Sequence, residues 1–266
     1  MTGSIVSGRR RGSKQRYRRL LNSIVRGPSA SYHDSGVSLG LRISYTLNRG
    51  SLLWKLLTLC GVVAPIVLIA LIFVGAAVTS GYNHFSDPIS QLAATGSPYP
   101  GWLTTGFITY GIMILGFGFV LYRSVREHRL AWLVFLFYVL HGVGFLLGGI
   151  FSDDPRTAEA VSTASGILHN VWIIIGCSSF VGGMFVFAWL KRHDPTWRLL
   201  ARIFIVFLAI ILLAFAVSQI PALAPAEGLL QRVYGFLGIV LIEIAAIQLL
   251  VTPTRQHVGS GEPLHL

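Results

Sequence analysis

Six apolar segments, each close to the length that crosses a lipid bilayer, constrain this chain more than any other feature of its sequence. They cover residues 54–79, 101–122, 130–151, 166–190, 199–220 and 233–251. A transmembrane helix needs about 20 mostly apolar residues. Inside lipid every backbone polar group must be satisfied internally, so an open chain crosses as helices. The sequence therefore predicts an all-α, polytopic membrane protein with six transmembrane helices.

The composition agrees with this prediction. Of the 266 residues, 53% are hydrophobic and 12% are charged. A water-soluble domain of this size needs more polar surface than that, and a disordered chain has a much lower apolar content. The composition therefore argues against a soluble two-domain enzyme.

The distribution of Lys and Arg predicts the orientation. The connections and tails on one side carry nearly all of them, whereas the three connections on the other side carry only Arg156 and Arg232. Cytoplasmic loops are enriched in Lys and Arg. We therefore expect both termini in the cytoplasm, and residues 80–100, 152–165 and 221–232 outside. The expected location is the plasma membrane, or the inner membrane of a bacterium.

The chain divides into three predicted parts. Residues 1–51 form a basic cytoplasmic tail whose composition predicts that most of it is disordered, residues 52–251 form the transmembrane domain, and residues 252–266 form a short cytoplasmic tail. Residues 16–26 combine aliphatic and basic residues in a spacing that suits an interfacial helix on anionic lipid, although the tail can equally serve as an inside-retention signal. Nucleic-acid binding is not expected, because no aromatic-interleaved fold accompanies the charge.

No cofactor is predicted from the motifs. Cys60 and Cys177 both fall within apolar segments, without the spacing of a disulfide framework or a zinc knuckle. Helical His-Glu-x-x-His, Gly-x-Ser-x-Gly and phosphate-binding loops are absent from the sequence. We expect both cysteines to be small packing residues.

Two ionisable residues lie near the middle of predicted spans. His141 and Glu243 are each about 15 Å below the outer end of their helix, at 1.5 Å per residue. A charged group there costs roughly 2.5–3.5 kcal/mol on insertion scales. Gly144 and Gly148 share a helical face with His141, which predicts that the histidine faces the bundle. We expect His141 and Glu243 to form an intramembrane polar pair, either as a buried hydrogen bond with Glu243 protonated or as part of a proton or ligand path that begins at Arg232.

A second group of polar residues is predicted at the outer rim. The candidates for a ligand pocket are His84, Asp87, Ser90, Asp153, His169 and Arg232. They suit a small polar solute or a lipid headgroup, and they equally suit a structural polar rim. A weaker alternative is a metal site formed by His84, Asp153 and His169, because zinc accepts His and Asp ligands and a catalytic site keeps one position open.

Capping offers a local explanation for two acidic residues of the rim. Asp87-Pro88 and Asp154-Pro155 each read as an N-cap followed by the first residue of a short helix. Asp194-Pro195, before the fifth span, has the same form on the inner side. We therefore expect all three aspartates to act as caps, which leaves His84, Asp153, His169 and Arg232 without such an explanation.

Several short strings together resemble one known family. They are residues 84–93 (HFSDPISQLA), 96–98 (GSP), 149–153 (GIFSD), His169, and 228–232 (GLLQR). In this order and placement the chain, over residues 52–251, resembles the domain-of-unknown-function 998 family. The resemblance implies a six-helix integral membrane protein with no agreed biochemical activity, and it groups Asp87, Asp153, His169 and Arg232 as one outer polar cluster. The chain departs from the family pattern at Ser152, where a proline is often found, and at Asn170, where a small residue is often found.

Three functional hypotheses follow. The leading one is a non-enzymatic membrane protein that binds or moves a small polar or lipid ligand through the outer rim. The second is a metal-dependent hydrolase that acts on a lipid or ester at the outer leaflet. The third is a membrane scaffold or assembly protein recruited by its basic tail. Besides that ligand, the expected partners are the lipid bilayer and anionic lipid at the tail.

Overall fold

The computed structural model describes residues 51–156 and 161–252. Within these ranges every regular element is a helix. The helices are α1 (Leu52–Val78), α2 (Gly101–Val125), α3 (Ala131–Ile150), α4 (Ala164–Lys191), α5 (Arg198–Ser218) and α6 (Glu227–Val251), with short 3₁₀ helices at Ile89–Ala93 and Pro221–Ala226. The two predicted tails, apart from Ser51 and Thr252, and the proposed interfacial helix at residues 16–26 lie outside the described residues.

Each predicted span corresponds to one helix that is long and apolar enough to cross a membrane. The largest difference in bounds is at α6, which begins at Glu227 rather than near residue 233. Its first turns contain Glu227, Gln231 and Arg232, and these residues lower the local hydropathy without opposing helix formation. Hydropathy therefore located the apolar part of α6 and missed its polar first turns.

Neighbouring helices in the chain pack side by side, and α1 packs against α6, so the six helices form a closed ring. The closest packing joins α2, α3 and α4, and glycines allow it. A Cβ added to Gly111 would lie 2.5 Å from the carbonyl oxygen of Gly142, and one added to Gly144 would lie 2.6 Å from Cα of Gly176. The backbones of these helices therefore touch at positions where any side chain would separate them.

Helix α5 lies at the periphery of the bundle. Its buried residues are Ala201, Phe204, Leu208 and Ile211, which form a single stripe. Large apolar side chains elsewhere on α5, such as Leu213, are exposed. Such one-sided burial is expected of a helix whose remaining surface faces lipid.

One end of the bundle contains residues 79–100, 151–156, 161–163 and 219–226, which lie in the three outer connections of the chain, and it is here called the outer end after its predicted orientation. The side-chain amide of Gln91 reaches Asp153 in the second of these connections, 3.1 Å away. Arg156 forms an ion pair with Glu227 at the start of α6. The first two connections and the start of α6 thus meet in one layer of polar contacts.

Candidate functional site

Arg232 attaches the first outer connection to α6. Its Nη1 donates hydrogen bonds to the carbonyl oxygens of His84 at 2.9 Å, Asp87 at 3.0 Å and Gly228 at 2.7 Å. Its Nη2 donates to the hydroxyl of Tyr82, and the guanidinium lies 5.6 Å from the centre of the Tyr82 ring. The side chain is 7% exposed. Arg232 is therefore buried under residues 82–87 of the first outer connection, to which it donates hydrogen bonds.

The first turn of α6 adds backbone hydrogen bonds to this attachment. The N–H of Gly228 donates to the carbonyl of Ser86 at 3.3 Å, and the N–H of Leu229 donates to that of Phe85 at 2.9 Å. These N–H groups have no partner within the helix. A Cβ on Gly228 would lie 2.5 Å from the carbonyl oxygen of Asp87. Glycine is thus required where the first connection crosses the end of α6.

The carboxylate of Asp87 does not perform the predicted capping. It accepts hydrogen bonds from the N–H of Asn83 and from the hydroxyl of Ser86, each at 2.8 Å. The 3₁₀ helix Ile89–Ala93 begins after Pro88 without a side-chain cap. The prediction of an N-cap is wrong here, because the carboxylate turns back toward the residues before it and closes their turn.

Asp153 is the centre of a second polar group. Its side chain is buried and accepts hydrogen bonds from the amide of Gln91 at 3.1 Å and from the N–H of Asp154 at 2.9 Å. Its carbonyl accepts the N–H of Thr95 at 2.9 Å. The amide oxygen of Gln91 in turn accepts the N–H of Arg156 at 3.0 Å. Gln91 thereby joins the first outer connection to the second.

Asp154 supports the start of α4 from a distance. Its carboxylate accepts the N–H of Thr163 at 2.9 Å and the hydroxyl of the same residue at 2.6 Å. Thr163 is the N-cap of α4 and accepts the N–H of Gly166 at 3.1 Å. These hydrogen bonds from Thr163 lower the pKa of Asp154. The predicted cap of a helix beginning at Pro155 is wrong, because no helix begins there.

His169 ties the end of α3 to α4. Its ring is buried, and Nδ1 lies 2.7 Å from the carbonyl oxygen of Gly148 and 3.0 Å from that of Phe151. Two carbonyl acceptors require that Nδ1 carries the proton. The ring stacks on Phe107, with 6.3 Å between centroids. His169 therefore satisfies carbonyl groups at the C-terminus of α3.

His84 and Ser90 differ from the other candidates. The His84 side chain is exposed, and its ring packs 5.4 Å from that of Tyr82 and 5.6 Å from that of Phe73. Partial burial, and then the charge of Arg232, lower the pKa of His84. Ser90 is half-buried in the 3₁₀ helix, and its side chain forms no hydrogen bond within residues 51–156 and 161–252.

The outer candidates therefore lie at one end of the bundle but form two groups. Arg232, His84 and Asp87 belong to the first group, on α6. Asp153 and His169 belong to the second, above α3 and α4. The 3₁₀ helix Ile89–Ala93 and the Arg156–Glu227 ion pair connect the two groups.

The proposed metal ligands do not come together. Among the described residues no group of three or more His, Cys, Asp or Glu side chains is placed to hold a metal ion. His84 contacts aromatic rings, Asp153 binds Gln91, and Nδ1 of His169 faces carbonyl groups. The geometry gives the metal-dependent hydrolase no support.

The intramembrane pair also differs from the prediction. Nε2 of His141 lies 3.0 Å from the hydroxyl of Tyr110, and Nδ1 lies 2.9 Å from the carbonyl oxygen of Gly176. Both ring nitrogens are thus engaged, so the predicted hydrogen bond with Glu243 is not formed. Glu243 is half-buried, and its side chain has no hydrogen bond within the described part of the chain. The periodicity placed His141 correctly toward the bundle, but it does not identify the neighbouring helix.

Sequence reasoning missed the neutral polar residues of these networks. Tyr82 and Gln91 lie beside or within the outer string of residues 84–93, and Tyr110 and Gln231 lie in helices. Gln231 accepts the N–H of Ile89 at 2.5 Å. Nothing in the sequence distinguishes these uncharged residues from others of their type. Tyr and Gln near an outer span end are nevertheless ordinary partners for loop carbonyls and amides.

Comparisons with known proteins give one match. A family model described as "Protein of unknown function (DUF998)" matches residues 62–248, which is more than half of the chain. The search of curated proteins and the search of solved structures each found no match.

Proposed function

We propose that this chain, which belongs to the DUF998 family of proteins of unknown function, binds an anionic ligand at the outer end of its bundle through Arg232. The ligand is a small polar anion or the headgroup of a lipid. The proposal takes the outer end as exoplasmic, and the plasma membrane or a bacterial inner membrane as the location. The part already established is a multi-pass bundle of six apolar helices.

The observation that carries the proposal is the incomplete pairing of a buried cation. Nε of Arg232 is buried and has no hydrogen-bond partner. Among the described residues the ion pairs are Arg156–Glu227 and Lys191–Asp194, so no carboxylate pairs with Arg232. The carboxylate of Asp87, whose carbonyl Arg232 binds, is itself bonded to the turn before it. Arg232 therefore keeps both an unused donor and an unpaired charge.

The energetics favour an anion. Removing a guanidinium from water costs several kcal/mol, which is offset only by a well-placed partner of opposite charge together with hydrogen bonds to the remaining N–H groups. Carbonyl and hydroxyl dipoles around Arg232 repay part of this cost and leave the net charge in place. The uncharged amide of Asn or Gln, with two N–H donors, could also hold loop carbonyls. The buried charge of Arg232 is thus more than loop attachment requires.

The geometry also selects an edge of the guanidinium. Nε and Nη2 lie on one edge, which is the edge that binds a carboxylate or phosphate with two parallel hydrogen bonds. Here Nη2 meets only the neutral Tyr82 hydroxyl and Nε meets nothing. An anion that replaced the Tyr82 contact would gain both hydrogen bonds and supply the missing negative charge.

The test is thermal unfolding of the purified full-length protein with anions at constant ionic strength. We expect inorganic phosphate or a short-chain anionic phospholipid to raise Tm of the unmodified protein. A ligand at 100 times its Kd stabilises by about 2.7 kcal/mol. Arg232→Gln should abolish the shift, whereas Arg156→Gln, which removes an arginine already paired with Glu227, should retain it. Equal shifts in both variants, or no shift with either class of anion, would contradict the proposal.

A further inference from the structure

We infer that the anion bound by Arg232 is the phosphate of a membrane phospholipid, whose acyl chain lies on Phe73 and Phe236 at the seam between α1 and α6. This inference rests on the proposed function and narrows it to one class of ligand. A phospholipid can bind in this way only if an apolar surface begins next to the Arg232 site, on the side toward the middle of the membrane.

The aromatic contacts supply that continuity. The ring of Phe73, near the outer end of α1, lies 5.6 Å from the ring of His84 and 6.3 Å from that of Phe236 on α6. Phe73 is 51% exposed. His84 contacts Tyr82, which binds Arg232. A series of contacts thus runs from the buried guanidinium through Tyr82 and His84 to the two phenyl rings.

The helix geometry orders this surface by depth. Arg232 and Phe236 are four residues apart on α6 and therefore lie on one face, with Phe236 about one turn, or roughly 5–6 Å, further from the outer end. Leu229, Val233 and Val240 are exposed on the adjoining face of α6. A phosphate at Arg232 would place the first methylene groups of its chain beside Phe236 and Phe73.

A soluble anion explains less of this surface. It would use the Nε and Nη2 edge of Arg232 and leave both phenylalanines unused. The other arginine at the described outer end, Arg156, is paired with Glu227 and is half-exposed in a connection. The unpaired guanidinium thus lies near the contact between Phe73 of α1 and Phe236 of α6. A charged group next to apolar rings suits a ligand with an anionic headgroup and an acyl chain.

The experiment uses the full-length protein in detergent and compares three probes: dioctanoyl phosphatidylglycerol, dioctanoyl phosphatidylcholine and inorganic phosphate. Apparent Kd is obtained from the concentration dependence of Tm. We expect phosphatidylglycerol to bind at least tenfold more tightly than inorganic phosphate. We expect phosphatidylcholine, whose headgroup has no net charge, to bind at least fivefold more weakly than phosphatidylglycerol.

The informative variant is Phe73→Ala, because Phe73 is exposed and its removal leaves the polar contacts of Arg232 in place. It should weaken phosphatidylglycerol binding about tenfold and leave phosphate binding unchanged. The matched control is Phe215→Ala on α5. Phe215 is 46% exposed, and its ring also contacts an aromatic residue of α6, Tyr234 at 5.6 Å. Tyr234, unlike Tyr82, makes no hydrogen bond with Arg232. This control should leave the binding of all three probes unchanged.

The outcomes separate the two proposals. If phosphate binds through Arg232 but the lipid binds no better, or if Phe73→Ala and Phe215→Ala have equal effects, the lipid inference fails and the anion site stands. If Arg232→Gln leaves the binding of every probe intact, both fail. Should Arg232→Gln not fold, Arg232→Lys keeps the charge and removes the paired edge. At least fivefold weaker lipid binding by that variant supports the inference, and unchanged binding overturns it.

Discussion

Two polar networks of this protein, one around Arg232 at the outer end and one around His141 in the middle of the bundle, satisfy their central residue to different degrees. His141 has two ring nitrogens and two partners, the Tyr110 hydroxyl and the Gly176 carbonyl. Arg232 has carbonyl and hydroxyl partners for its terminal nitrogens but none for Nε. The mid-membrane network is complete, and the outer one is not.

The difference follows from charge and depth. A neutral imidazole needs only one donor and one acceptor, which two neighbouring helices supply. A guanidinium has five N–H donors and a fixed positive charge, so neutral partners can accept its hydrogen bonds but leave its charge uncompensated. Unpaired polar groups are most costly in hydrocarbon. We therefore expect the mid-membrane network to serve structure and the outer network to leave capacity for a ligand.

The largest predicted effect concerns the close packing of α3 against α4 near His141. Gly144→Ala places a methyl group 2.6 Å from Cα of Gly176, so α3 and α4 must separate around His141. Overpacking of this kind costs about 1–3 kcal/mol, and more when only backbone can move. Gly235→Ala on α6 is the control, because nothing lies within 4 Å of its added Cβ. Thermal unfolding in detergent should show a large loss for the first variant and none for the second, and equal stability would mean that the helices are not in contact.

The next effect concerns the completeness of the His141 network. Tyr110→Phe removes one partner and leaves Nε2 of His141 unsatisfied in a buried position. We expect a loss of about 1 kcal/mol, since side-chain hydrogen bonds inside membrane proteins contribute about 0.6 kcal/mol on average and leaving a partner unpaired adds to this. A double-mutant cycle with His141→Leu measures the coupling. No coupling between the two positions would show that the network does not act as a unit.

The fold was largely predictable from the sequence, except for two features, the start of α6 and the contact between α1 and α6. Apolar length identifies all six helices because a continuous apolar segment of about 20 residues satisfies its own backbone in lipid as a helix. It places the start of α6 too late, because Glu227, Gln231 and Arg232 are helical but not apolar. It also cannot reveal that α1 packs against α6, since helix adjacency depends on the shapes of side chains from distant segments.

The site was predictable only in its general position. The same Asp-Pro dipeptide has three roles. Asp194 accepts the N–H of Thr196 at 3.0 Å in the turn before α5, whose N-cap is Trp197 without a side-chain hydrogen bond, so the predicted cap is wrong here as well. Asp87 closes the turn before it, and Asp154 binds Thr163. The local sequence allows all three, and the position of distant donors decides between them. The pairing of His141 with Glu243 failed for the same reason, because Tyr110 and Gly176 lie nearer.

A smaller effect should appear at acidic pH in the outer network. Hydrogen bonds from Thr163 lower the pKa of Asp154 in the folded protein. A carboxyl group with a lowered pKa stabilises the folded state above its unfolded pKa, and this contribution is lost as pH falls through the folded value. We expect Tm of the unmodified protein to approach that of Asp154→Asn below about pH 4, near the ordinary pKa of an aspartate. A constant difference between the two proteins down to pH 2 would contradict this assignment.

The smallest effect is expected at Glu243, which shares its depth with His141 but not its partners. Because the side chain of Glu243 has no hydrogen bond or ion pair within the described residues, Glu243→Gln replaces it by a neutral group of similar shape and breaks no polar interaction. We expect a change within about 0.5 kcal/mol, as for positions without specific interactions. The comparison should be made in detergent and again in lipid nanodiscs. A loss of stability above 1 kcal/mol only in nanodiscs would mean that the carboxyl group of Glu243 has a partner in the membrane. The mid-membrane region would then resemble the outer end, because each would contain a polar group that the bundle alone does not satisfy.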